Sequence, residues 1–153
     1  IWERWNSYIA ETGTFGDVSM NSFNHYSFGA VMEWMYRHMA GIQALEPAFE
    51  SIGLTPKPDT RTDAELPCGQ ERITFVKASY KSVNGLIASE WKLENGVLQY
   101  HCETPVNATL YLPIIGEKTS FTINNTLVQI SDFETVDGCV AIDLEKGTYN
   151  FVI

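Results

Sequence analysis

Two Asn-Gly steps, Asn84-Gly85 and Asn95-Gly96, punctuate runs rich in β-branched and aromatic residues at 73–80, 86–93 and 97–102. Asn-Gly readily takes positive φ at both central positions of a two-residue hairpin, so these runs are expected to pair as an antiparallel meander. Further period-two runs at 108–112, 120–123, 126–130, 140–144 and 148–153 are separated by Gly116, Asn124-Asn125, Asp137-Gly138 and Lys146-Gly147. About seven to nine short strands at that spacing predict a mainly β chain that ends in an antiparallel β-sandwich.

The period changes before this region. Within 22–42, Phe28, Val31, Met35, Met39 and Ile42 recur at steps of three and four and mark one face of a helix. Ser22 and Asn24 are candidate N-caps and Gly41 is a candidate stop. Additional apolar residues at Ala30, Met32, Trp34, Tyr36 and Ala40 exceed a single stripe. Cover on most sides is therefore expected, with Trp34 used for packing and an apolar flank left bare wherever a neighbour is lacking. Ile52 and Leu54 form a short alternating stretch, and 59–70 read as a polar, acidic connector.

The chain of 153 residues is 44% hydrophobic and 12% aromatic, enough for a packed core and too much for disorder. Its net charge of -9, with only ten Lys and Arg, argues against nucleic acid or an anionic membrane as partner, because both need clustered positive charge. No apolar run approaches the roughly 20 residues of a membrane span. The three cysteines, Cys68, Cys102 and Cys139, lack C-x-x-C spacing or a nearby histidine pair. They are read as reduced, partly buried thiols, and neither a metal nor a cofactor is expected. The chain opens on Ile1 and its first methionine is Met20, which reads as a cut end.

The chemistry-bearing residues cluster at the start. Trp2-Glu3-Arg4-Trp5 places an acid between indoles, and Gly13-Thr14-Phe15-Gly16-Asp17 leads to Met20-Asn21-Ser22-Phe23-Asn24-His25-Tyr26-Ser27-Phe28-Gly29. Indole faces stack on the C–H faces of sugar rings, while a carboxylate, an imidazole and amides supply directed contacts, so this is the composition of a sugar-processing cleft. An exposed acid next to core tryptophans, and a capping histidine, are the plainer alternatives. Asp17 and Glu11 read by default as solvated carboxylates. Trp91, Tyr80 and Tyr100 would form a sugar platform if coplanar and exposed; alternating aromatics in strands more often pack in a core.

Taken together, the Trp2–Trp5 segment, the 20–37 motif, the Gly41-Ile42 stop and the hairpin from Ala78 to Trp91 resemble the C-terminal end of bacterial α-L-rhamnosidases of the inverting glycoside hydrolase class. The resemblance is strongest in the first forty-two residues and at the hairpin. It implies a helix or two from the end of an (α/α)6 catalytic barrel over 1–45, followed by a C-terminal antiparallel β-sandwich over 46–153. It implies that Glu3 is the general base that deprotonates the attacking water and that His25 contacts the bound rhamnose. Trp2 and Trp5 would be walls of the pocket. The implied partners are a rhamnose-containing glycan or glycoside and the upstream portion of the same polypeptide, which would hold the second carboxyl group that inversion needs. The alternative is a non-catalytic carbohydrate-binding or structural sandwich.

Overall fold

The turn chemistry is realised almost as read. In the computed structural model, which describes residues 2–19 and 21–153, Asn95 and Gly96 both take positive φ, as do Asn124 with Asn125 and Asp137 with Gly138. All three are two-residue connections with the backbone twist of a type I′ hairpin. The first Asn-Gly step is offset by one residue: Ser82 pairs with Gly85, so the loop is Val83-Asn84, and the Asn84 Nδ2 donates to the carbonyls of Ala48 and Phe49 at 3.1 and 3.2 Å. Ile1 and Met20, the expected cut end and the first residue of the 20–37 motif, lie outside the described residues.

The chain divides into two units, Ile1–Met35 and Tyr36–Ile153. The first contains a two-stranded ribbon, β1 (Tyr8–Ile9) and β2 (Thr14–Phe15), then a 3-10 turn at Tyr26–Phe28 and a short helix, α1 (Ala30–Trp34). A π-helical turn at Met35–Met39 carries the chain on. The single helix expected over 22–42 is thus broken into three types of turn. His25, not Ser22 or Asn24, occupies the N-cap of the 3-10 turn, with no side-chain cap bond. Nothing in α1 is buried, and Val31, Met32, Trp34 and Met35 are all 40% or more exposed. Trp34 is thus half-exposed and not a core residue, and the apolar side chains around it stand partly exposed.

The second unit holds β3 (Ile42–Ala44), β4 (Ile52–Leu54), β5 (Phe75–Ser82), β6 (Gly85–Glu94), β7 (Val97–Thr104) and β8 (Ala108–Pro113). It continues with β9 (Ser120–Ile123), β10 (Thr126–Gln129), β11 (Glu134–Val136), β12 (Cys139–Leu144) and β13 (Gly147–Val152). A six-stranded sheet runs β10-β9-β13-β7-β6-β5, and a five-stranded sheet runs β11-β12-β8-β4-β3. Ladders are antiparallel except that β4 lies parallel to β8. The three-residue strands β3 and β11 went unread, whereas the equally short β4 showed in the alternation of Ile52 and Leu54. The join expected near residue 45 lies between the paired strands β3 and β4, inside the second unit.

One apolar cluster unites the sheets, with Ile87, Leu98, Tyr100 and Phe151 from one and Leu54, Leu110, Leu112 and Val140 from the other. Each aliphatic or aromatic side chain so buried is worth about 1.5–3 kcal/mol, enough to fix which face of every strand turns inward. Trp91 and Tyr100 are 3% and 2% exposed and stand opposite each other in register. The π-turn is tied to the same sheet. Trp91 Nε1 donates to the Met39 carbonyl at 2.8 Å, Ser89 Oγ to the Ala40 carbonyl at 2.5 Å and Tyr36 Oη to the Ser79 carbonyl at 3.2 Å.

Candidate functional site

Glu3 sits in a stretch without regular structure, so its position depends on specific bonds. Its carboxylate Oε2 accepts the Ser22 amide proton at 2.8 Å, and its own amide donates to the Ser22 carbonyl at 2.8 Å. These reciprocal bonds lay the acidic segment alongside the segment that leads to His25. A chain of edge-on aromatic contacts reinforces the pairing: Trp2 with Phe23 at 5.2 Å, Phe23 with Phe15 at 5.4 Å, and Phe15 with Tyr8 at 5.6 Å. Such contacts add about 0.5–1.5 kcal/mol each beyond area burial. Among the described residues Oε1 of Glu3 carries no hydrogen bond, which leaves one carboxylate oxygen for a water or a sugar hydroxyl.

His25 is partly buried, its Nδ1 2.6 Å from the Ser27 hydroxyl, and its ring stacks parallel to Tyr26 with centroids 5.8 Å apart. Either Ser27 donates to Nδ1 or the reverse, and the tautomer that decides this also makes Nε2 a donor or an acceptor. Tyr26 is 85% exposed and Trp5 fully exposed, so both indole and phenol faces stand open, whereas Trp2 is half-exposed with one side against Phe23. The structure therefore joins Glu3 and Trp2 to the His25-bearing segment and leaves Trp5 free of that packing. Asp17, weighed as a sugar-binding acid, is exposed and bonded locally; the Ser19 hydroxyl and amide donate to it at 2.7 and 2.9 Å and hold its carboxyl below the usual carboxylate range.

Reading the sequence missed Ser7 and gave Asn21 no role beyond the motif it sits in, because neither lies in an apolar period or a charge pattern. Ser7 is completely buried. Its amide and hydroxyl both donate to the Arg4 carbonyl, and its carbonyl accepts Asn21 Nδ2 at 2.8 Å and the Gly16 amide at 2.9 Å. On the second unit, the outer face of the six-stranded sheet carries an open groove of about 570 Å3 beside Phe75, the Lys77–Glu90 ion pair and the His101–Asn150 pair. The aromatic platform considered for this domain does not form, since Trp91 and Tyr100 are core residues and Tyr80 packs on Phe49 at 5.0 Å. The described residues contain no cluster of metal-ligating side chains.

The described residues thus form a β-sandwich unit and a separate short unit with one tethered carboxylate and open aromatic faces. Comparison with known proteins makes the class definite. Residues 41–124 match the family model of the bacterial alpha-L-rhamnosidase C-terminal domain, and residues 1–39 match that of the bacterial alpha-L-rhamnosidase 6 hairpin glycosidase domain. The chain belongs to the bacterial α-L-rhamnosidase family and corresponds to its C-terminal region. It is 30% identical over 155 residues to an α-L-rhamnosidase of Streptomyces avermitilis, and 35% identical over 159 residues to one of Formosa agariphila. It spans 13% and 16% of the length of those relatives. Among solved structures, the S. avermitilis enzyme complexed with L-rhamnose superposes at a TM-score of 0.71 with 28% identity, covering all of this chain and 13% of that one. The Dictyoglumus thermophilum enzyme superposes at 0.76 with 25% identity, covering 99% and 16%.

Proposed function

We propose that this chain is the C-terminal part of an enzyme that removes terminal α-L-rhamnose from glycans or glycosides with inversion. In this reading Glu3 is the general base, His25 a contact to the bound sugar, and Trp2 and Trp5 apolar walls against the ring's C–H faces. The observation that carries it is the tethered Glu3 carboxylate, one oxygen held by the Ser22 amide and the other open, within the stretch that matches the 6 hairpin glycosidase domain. A base must hold its lone pair in a fixed direction towards water, and a carboxylate fixed at one oxygen does so. Inversion needs a second carboxyl group about 6.5–9.5 Å away to protonate the leaving oxygen, and we assign it to the upstream portion of the same polypeptide. The burial of Trp91 and Tyr100 supports a structural accessory role for that domain over a sugar-binding one.

Kinetics of two variants test the reading in the intact enzyme on one aryl rhamnoside. Glu3→Gln keeps the shape but cannot take a proton, so kcat should fall roughly 10²–10⁴-fold with KM little changed. His25→Ala removes a directed contact and should raise KM as well as lower kcat, at a cost of about 1–3 kcal/mol. Circular dichroism must be unchanged in both. Near-normal turnover by Glu3→Gln would remove the catalytic assignment.

A further inference from the structure

The bonds around Glu3 close into a ring. Glu3 is bonded covalently to Arg4, whose carbonyl accepts the Ser7 hydroxyl at 2.8 Å and the Ser7 amide at 3.3 Å. The Ser7 carbonyl accepts Asn21 Nδ2 at 2.8 Å. Asn21 is bonded covalently to Ser22, and Ser22 returns to Glu3 through the two reciprocal 2.8 Å bonds. Within this ring the stretch 21–25 has no helix or strand to hold it, so the Ser22 amide can aim the Glu3 carboxylate only if something else fixes Ser22. The Asn21 side chain does so. Its anchor, Ser7, is completely buried, so these bonds are not exchanged for bonds to water. Gly16 tightens the same point: its amide donates to the Ser7 carbonyl, and a Cβ there would lie 2.5 Å from the Asn6 carbonyl oxygen. Asn21 Oδ1 is buried without a partner among the described residues, so the amide is retained for the bond made through Nδ2 even though its oxygen is left unpaired.

We infer that Asn21, acting through the buried Ser7, is a positioning residue for the Glu3 carboxylate; this rests on Glu3 serving as the base. In this role Asn21 acts through its Nδ2 bond to the Ser7 carbonyl and not by contact with the reacting groups. It sets the direction in which the carboxylate oxygen faces the attacking water, and a displacement of about 1 Å in a catalytic group costs as much as 10²-fold in rate. The nearly isosteric Asn21→Asp replaces the donor with an acceptor facing the Ser7 carbonyl and so breaks the ring at one bond. Ser7→Ala weakens it at the Arg4 link, removing the hydroxyl's 2.8 Å bond and leaving the 3.3 Å amide bond in place.

A double-mutant cycle in the intact enzyme tests the inference. Asn21→Asp and Ser7→Ala are measured alone and in combination with Glu3→Gln, for kcat and KM on an aryl rhamnoside. Asn21→Asp alone should lower kcat roughly 10–100-fold with KM within about twofold. In the Glu3→Gln background it should change the residual kcat by less than about threefold, because no base remains to be misplaced. Ser7→Ala should show the same background dependence with a smaller loss, and it carries the test should Asn21→Asp fail to fold. An equal loss in both backgrounds would overturn the inference and make the ring purely structural, as would unchanged kcat in the parental background. Near-normal turnover by Glu3→Gln alone would instead overturn the base assignment beneath it, so the two failures read differently.

Discussion

Burial separates the thiols of this chain. Cys68 is exposed, Cys139 half-buried and Cys102 wholly buried, and all three are free. Burial pushes the Cys102 thiol up to about 12, and the Cys139 thiol is also raised, first by burial and then by the charge of Asp137. Since the thiolate is the nucleophile, a disulfide-exchange reagent at neutral pH should label Cys68 fast, Cys139 slowly and Cys102 only on unfolding. Fast labelling of Cys102 in the folded protein would contradict the packing of β7. The linkage sign follows from the same shift. A folded-state pKa above the ordinary 9.0 leaves stability unaffected below pH 9 and lowers it as pH rises from there towards 12, where the unfolded thiol ionises first. Tyr100, raised well above its ordinary value by burial, acts in the same direction, so the denaturation midpoint should fall on the alkaline side. Which cysteine was buried could not be read from the spacing of the cysteines, because it depends on Cys102 standing between Ser89 and Tyr149 on the inward face that carries Trp91, Tyr100 and Phe151.

At the scale of elements, two glycines at positive φ test how a connection is fixed. Gly41 follows the π-turn, its φ is 78°, and an added Cβ would lie 2.2 Å from the Thr55 carbonyl carbon. Gly96 has a similar φ of 74° with nothing within 4 Å of the added atom. Gly96→Ala should therefore cost only the left-handed backbone term, about 1–2 kcal/mol. Gly41→Ala adds a clash with backbone that cannot move without parting β3 from β4, and should cost more than about 3 kcal/mol. Urea midpoints of the two variants check this, and equal losses would mean that the Gly41–Thr55 approach relaxes. The reading of Gly41 as a stop held, because a glycine after an apolar helical period is a local signal. The reading of one continuous helix did not. Its apolar spacing fitted a helix, but steps of three and four over so short a run do not separate α from 3-10 or π turns, whose periods lie on either side of 3.6.

For the whole molecule, the expectation is that this chain by itself does not turn over aryl rhamnosides, since in the proposed mechanism it supplies one carboxyl group of the two. Release of nitrophenol by the highly purified chain, abolished by Glu3→Gln, would place the acid within it and refute that division. Local chemistry made much of the molecule legible. Alternation announced most of the strands, and Asn-Gly, Asn-Asn and Asp-Gly announced the turns, because these signals act between residues a few positions apart. Glu3 and His25 were singled out by resemblance to a family, and their roles are a proposal. Tertiary structure alone decided the rest. The parallel seating of β4 on β8, the burial of Trp91 away from any sugar platform, and the ring through Ser7 and Asn21 that aims Glu3 all join residues distant in sequence. No local propensity encodes such bonds; they form because a buried carbonyl or amide must find a partner wherever the fold brings one within reach.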